Sequence, residues 1–78
     1  MQIGDYYVYE YDRKTGCSHG TLCCTPEIAL NQYNQYCKDN ENNPDIKVYV
    51  TIVDNVYYDS EGDYESIDEH EVDILDIK

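Results

Sequence analysis

The chain predicts an α+β domain: a small antiparallel sheet of three to five strands, in the order ββαβ(β), with one α-helix packed on one face. Three observations carry this expectation. Residues 5–11 and 46–58 are dense in Tyr, Val and Ile, the composition of strands. Between them, Thr25-Pro26-Glu27 opens a segment with helical spacing. The length of 78 residues leaves room for one domain, 1–78, with a small core and thin stability.

Each element follows from local chemistry. Asp5-Tyr6-Tyr7-Val8-Tyr9-Glu10-Tyr11 reads as the first strand, and Asp12-Arg13-Lys14-Thr15-Gly16 as a turn closed by its glycine. Thr21-Leu22-Cys23-Cys24 reads as the return strand of a hairpin, with Gly20 marking a bulge. Thr25 caps the helix, Pro26 takes the first helical position where no N–H is needed, and Glu27 complements the dipole. Ala29, Leu30, Tyr33, Tyr36 and Cys37 share one helical face, and the helix stops near Asp39-Asn40. Residues 41–45 form a loop.

Ile46 to Tyr58 is the clearest strand. Ile46, Val48, Val50 and Ile52 share the core-facing parity, while Tyr49, Thr51 and Val53 share the other. Asp54-Asn55 bends or ends it, and Asp59-Ser60-Glu61-Gly62-Asp63 is a turn. In the last third, seven acids (Asp59, Glu61, Asp63, Glu65, Glu69, Glu71 and Asp73) occupy odd positions, a period of two that points to an extended chain with one acidic face. Ser66-x-x-Glu69 also fits a capping box and a short helix. The apolar residues Ile67, Val72, Ile74, Leu75 and Ile77 form no clean helical stripe, so strand is the expectation.

Charge is the dominant functional signal. Of 17 Asp and Glu, ten lie between Asp54 and Asp76, with no Lys or Arg among them, in a chain of net charge −12. Crowded like charge opposes compaction. A solvated, solubilising face is the plain explanation; a surface for a strongly basic partner is the functional one. Exposed Tyr beside carboxylates adds to the second, because Tyr is enriched at binding hot spots. The candidate partner-binding residues are therefore Asp59, Glu61, Asp63, Glu65, Asp68, Glu69, Glu71 and Asp73, with Tyr57, Tyr58 and Tyr64 supplying contact area. Tyr9 and Tyr33 are expected in the core. One strand face alone carries a charge every ~6.6 Å, about a quarter of the linear density of duplex DNA, so imitation of nucleic acid needs neighbouring elements or a strand edge with its turn.

Other chemistries find less in the sequence. Cys17, His19 and Cys23 would share a face on an extended chain, which makes three zinc ligands conceivable, but the spacing is not that of a zinc knuckle. No cofactor is expected. Cys24 and Cys37 flank the helix, nearly 20 Å apart at ~1.5 Å per residue, too far for a disulfide. The acidic turn fails the calcium-loop pattern, since Gly62 at position six would put Tyr57 at position one. No Ser motif or phosphate loop is present, and the chain is expected not to be an enzyme. The start Met1-Gln2-Ile3-Gly4-Asp5 has neither the basic nor the apolar region of a secretory signal, and no apolar run approaches the ~20 residues that span a bilayer, so a cytoplasmic protein with reduced thiols is expected. Anionic membranes and free nucleic acid would repel it.

In size, charge, single α+β domain and the acid-rich stretch from Asp59 to Asp73, the chain resembles small acidic inhibitors of host defence encoded by phages and mobile elements, the anti-CRISPR and DNA-mimicking antirestriction proteins. Gly16-Cys17-Ser18-His19-Gly20 in a strand connection, followed by a helix and an acidic segment, is similar to the antirestriction proteins of conjugative elements over about twenty residues. The resemblance implies a non-enzymatic inhibitor in the host cytoplasm. Its carboxylates would replace phosphates in the basic channel of a nucleic-acid-binding protein or ribonucleoprotein complex. The alternative is an intracellular interaction module, a homodimer through an exposed sheet edge in which the tyrosine-rich first strand matters and the acids only solubilise. A third reading is a small metal-binding domain at Cys17, His19 and Cys23.

Overall fold

The computed structural model describes residues 2–58, 60, 62 and 65–77. In chain order these form β1 (Tyr6–Asp12), β2 (Ser18–Cys23), α1 (Pro26–Asp39), β3 (Ile46–Tyr58), β4 (Glu65–Val72) and a short 3-10 helix, Ile74–Asp76. The four strands make one antiparallel sheet in the order β2-β1-β3-β4, with α1 against one face. The α+β expectation holds.

The β1–β2 hairpin is built by its turn. Gly16 N–H donates to the Asp12 carbonyl at 2.8 Å, Asp12 N–H donates to the Cys17 carbonyl at 2.8 Å, and Gly16 sits at φ +74°. Only glycine enters that region without strain. The Asp12 side chain accepts from Lys14 N–H at 2.8 Å and tightens the turn. β2 begins at Ser18, three residues before the apolar signal of Thr21, because backbone pairing with β1 continues to the turn: Tyr11 faces Ser18. Gly20 is not a bulge. It pairs in register with Tyr9, and its missing side chain accommodates the Tyr9 ring: a Cβ there would lie 2.6 Å from Tyr9 Cε1.

The helix forms where its caps place it. Thr25 Oγ1 accepts from Ile28 N–H at 3.2 Å, Pro26 opens α1, and Asn40 closes it by donating its backbone N–H to the Tyr36 carbonyl. The even-numbered residues of β1, and of β3 as far as Ile52, face it. Val8, Cys23, Ala29, Val50 and Ile77 form the buried centre, with Tyr6, Leu30, Tyr33, Tyr36, Val48, Val72 and Ile74 packed around it. The Thr21 and Tyr36 hydroxyls are hydrogen-bonded, and Asn40 Nδ2 donates to Glu10 Oε2 at 2.6 Å, so polar atoms on the rim of this interface have partners.

The other sheet face carries no helix, yet its middle is dry. Thr51 and Val53, placed by their parity on a solvent-facing row, are 4% and 1% exposed. Tyrosines account for this. Tyr9 stacks on Tyr7 (centroids 5.7 Å apart) and on Tyr49 (5.1 Å), and Lys47 Nζ lies 5.3 Å from the Tyr49 centroid. Register sets Thr51 between Tyr7 and Glu71, and Val53 beside Glu69, so long side chains flank both. Tyr9 thus belongs to this half-buried ladder rather than to the core under the helix, whereas Tyr33 does pack on that core.

β3 does not end at Asp54-Asn55. The register shifts between Val53 and Asn55, leaving Asp54 as an extra residue, and pairing resumes through Tyr58. β4 is a strand throughout, so the capping-box reading of Ser66-x-x-Glu69 loses to backbone pairing with β3.

Candidate partner-binding surface

The acidic segment lies at the free edge of the sheet, because β4 pairs with β3 and with no other strand among the described residues. An edge strand bares both of its side-chain rows along one rim. Glu69 and Glu71 share the helix-free face with Tyr9 and Lys47; Asp68 and His70 project on the other. Asp73 follows at the start of the 3-10 helix.

Each acid of the predicted set whose side chain is described, Asp68, Glu69, Glu71 and Asp73, is held by a specific partner. Tyr57 Oη donates to Asp68 Oδ2 at 2.8 Å. Tyr9 Oη lies 2.7 and 2.9 Å from the two oxygens of Glu69. Lys47 Nζ meets Glu71 Oε1 at 3.4 Å, an exposed pair worth little in stability. Asp73 Oδ1 accepts from Leu75 N–H at 2.9 Å and so caps the 3-10 helix. At the β3 bulge, Asp54 Oδ2 sits 2.7 Å from His70 Nδ1. The bulge delivers Asp54 to the same rim, a contribution the sequence reading missed; the Asp54-Asn55 break in the Val and Ile alternation was its only trace.

These contacts act on the two tyrosines that make them. Burial, reinforced by the hydrogen bond to Glu69, drives the Tyr9 hydroxyl well above the ordinary tyrosine range. The hydrogen bond to Asp68 raises Tyr57. Both phenols stay protonated donors, fixing carboxylates that would otherwise rotate freely. Tyr57 and Tyr58 are 49% and 62% exposed, which gives the rim two aromatic rings for contact. Of the remaining predicted residues, Asp59, Glu61, Asp63 and Tyr64 lie outside the described residues, and Glu65 begins β4 with its side chain outside that description.

The Cys/His set does not converge. Cys17 and His19 are exposed on or beside β2 while Cys23 is buried, and no group of three or more His, Cys, Asp or Glu that could hold a metal ion occurs among the described residues. All four cysteines are free thiols. Burial raises the Cys23 pKa, with Cys24 adding to the shift, which disfavours the thiolate that metals and electrophiles require. The tyrosine-rich first strand is no edge: β1 lies between β2 and β3, so it cannot be the strand through which copies pair. Among the described residues, no helix is long and apolar enough to cross a membrane.

Comparison with protein families, curated proteins and solved structures finds no match.

Proposed function

We propose that the β4 rim is a binding surface for a strongly basic protein groove, and that the protein acts as a non-enzymatic inhibitor occupying the nucleic-acid-binding channel of a host defence complex in the cytoplasm. One observation carries this reading: the acidic strand is a sheet edge, so both of its side-chain rows reach the same partner. Asp68, Glu69, Glu71 and Asp73 span five residue steps, about 16 Å at ~3.3 Å per residue. Four carboxylates over that span have a mean spacing of about 5.5 Å, wider than the ~3.4 Å per charge of one nucleic-acid strand along its axis but closer to it than one strand face alone. A single face of an internal strand would space them ~6.6 Å apart.

Pre-positioning supports the same reading. Tyr9, Tyr57, Lys47 and the Leu75 N–H already hold these carboxylates, so little side-chain freedom is lost on docking. Opposed charge then supplies rapid encounter and selectivity, and Tyr57 and Tyr58 supply apolar area.

The test is capture from host lysate on the immobilised chain, with a low-salt wash followed by a high-salt wash. A basic nucleic-acid-binding complex should be retained at low salt, released by high salt and displaced by its own nucleic acid. The variant Asp68→Asn/Glu69→Gln/Glu71→Gln/Asp73→Asn should retain none of it. Glu27→Gln/Glu41→Gln, which removes exposed charge away from the rim, should bind as the parent does. Equal binding by the rim variant, with its fold verified by circular dichroism, refutes the mechanism.

A further inference from the structure

We infer that the opposite edge of the sheet, β2, is a self-association surface, on which β2 of a second copy pairs antiparallel about a twofold axis near Gly20. The two edges of this sheet are managed very differently. β4 carries Asp68, Glu69 and Glu71, and its partner strand is bulged at Asp54, both of which obstruct the approach of another strand. β2 reads Ser18-His19-Gly20-Thr21-Leu22-Cys23, with no Asp, Glu, Lys, Arg or Pro. Among the described residues, no charged side chain, proline or bulge within Ser18–Cys23 blunts this edge.

Backbone geometry makes the edge available. Asp12 N–H donates to the Cys17 carbonyl, and in an antiparallel ladder such bonded pairs recur at every second residue. Glu10–His19, Val8–Thr21 and Tyr6–Cys23 are therefore the bonded pairs with β1. The N–H and C=O groups of Ser18, Gly20 and Leu22 point outward. A twofold axis at Gly20 places Gly20 opposite its own copy and Ser18 opposite Leu22, satisfying about six outward backbone groups on each strand. Gly20 has no side chain to obstruct the incoming strand, and the Tyr9 ring already covers its helix-free side. Leu22, 39% exposed, gains cover from the partner's Ser18 backbone.

Charge identifies the occupant as a second copy rather than a basic peptide. The β2 edge has no acid to attract a cation, and the adjoining turn is balanced, Arg13 and Lys14 standing beside Asp12 and Asp45, with Lys14 Nζ 3.3 Å from Asp45. Among the described residues, Asp54, Asp68, Glu69, Glu71 and Asp73 gather at the far edge. Joining two sheets through β2 leaves the acidic rims seven inter-strand steps apart, about 33 Å at ~4.7 Å per step. That is several times the ~8 Å screening length at physiological salt. Two highly acidic chains can thus pair at this edge with little mutual repulsion, and both β4 rims remain open.

Analytical ultracentrifugation across a concentration series tests this directly. The expected result is a monomer–dimer equilibrium that high salt leaves unchanged or strengthens, the opposite of the salt response proposed for the β4 rim. Ser18→Pro removes an outward N–H at the first residue of an edge strand, where proline is tolerated, and Leu22→Lys puts a charged side chain on the edge, a device that keeps edge strands from pairing. Each should shift the dissociation constant at least tenfold towards monomer, with circular dichroism and Tm close to the parent. In a Cys17→Ser/Cys24→Ser background, Ser18→Cys with Leu22→Cys should form an interchain disulfide on mild oxidation, because opposed bonded residues lie ~5.5 Å apart. A parent chain that stays monomeric throughout, or a dimer that survives both edge variants and yields no cross-link in the Ser18→Cys/Leu22→Cys variant, overturns the inference. Neither outcome bears on capture of a basic partner by the acidic rim.

Discussion

Thr51 offers a sharp test of how the helix-free face is held together. Its side chain is 4% exposed, and Oγ1 is the one buried side-chain polar atom without a hydrogen-bond partner among the described residues. Taking an unpaired hydroxyl out of water costs about 1–3 kcal/mol. Thr51→Val replaces it with a methyl group of similar size, removing that cost and adding up to ~0.8 kcal/mol of apolar burial. Val suits a strand at least as well as Thr. Replacement is not free of local strain, so the expected net gain is about 1–2 kcal/mol, which for a domain of this size raises Tm by about 4–15 °C. Urea unfolding followed by circular dichroism measures it: the midpoint should rise with an unchanged slope. Thr51→Ser, which keeps the hydroxyl and drops the methyl, should lose about 1 kcal/mol and serves as the control. A Val variant that is no more stable than the parent shows that Oγ1 is satisfied in solution, and the description of the tyrosine ladder as a dry cover fails with it.

Tyr9 gives a pH prediction. Its pKa is raised in the folded state above the ordinary tyrosine value of 10.0, so the unfolded chain releases that proton first. The Tyr9 contribution to stability is therefore complete below about pH 10 and declines as pH rises above it. Tyr9→Phe should flatten the alkaline fall in stability seen by denaturant unfolding; an unaltered profile contradicts the assignment. Gly20→Ala forces a Cβ to within 2.6 Å of Tyr9 Cε1. The ring must swing away, for a net loss of about 1 kcal/mol after the entropic benefit of alanine, and Gly20→Ala combined with Tyr9→Leu should recover most of that loss in a double-mutant cycle.

The parts of the fold that local chemistry dictates were legible in the sequence. Thr25-Pro26 places the helix start, and Ala29, Leu30, Tyr33 and Tyr36 form its inward face as their spacing requires. Period-two alternation places Val48, Val50 and Val72 on the helix side of the sheet. What was not legible depends on neighbours distant in sequence. Parity assigns Thr51 and Val53 to an outer row but says nothing of the Tyr7–Tyr9–Tyr49 ladder that buries them. A glycine inside a strand signals a bulge or a close approach, and only the position of the Tyr9 ring decides between these for Gly20. Strand order is the largest such gap. Tyr6–Asp12 carries no local mark of its place inside the sheet, and on that place, with β4 left at the rim, rests the exposure of both acidic side-chain rows at the candidate site.

The strand order has an electrical consequence. Among the described residues, anions gathered along β4 and a β2 strand without Asp, Glu, Lys or Arg make the charge asymmetric across the strands of the sheet. In the field of a cationic target such a body is torqued before contact, so that diffusion delivers it with β4 leading far more often than random tumbling would. Productive collisions then become a property of the long-range field rather than of trial and error at the surface.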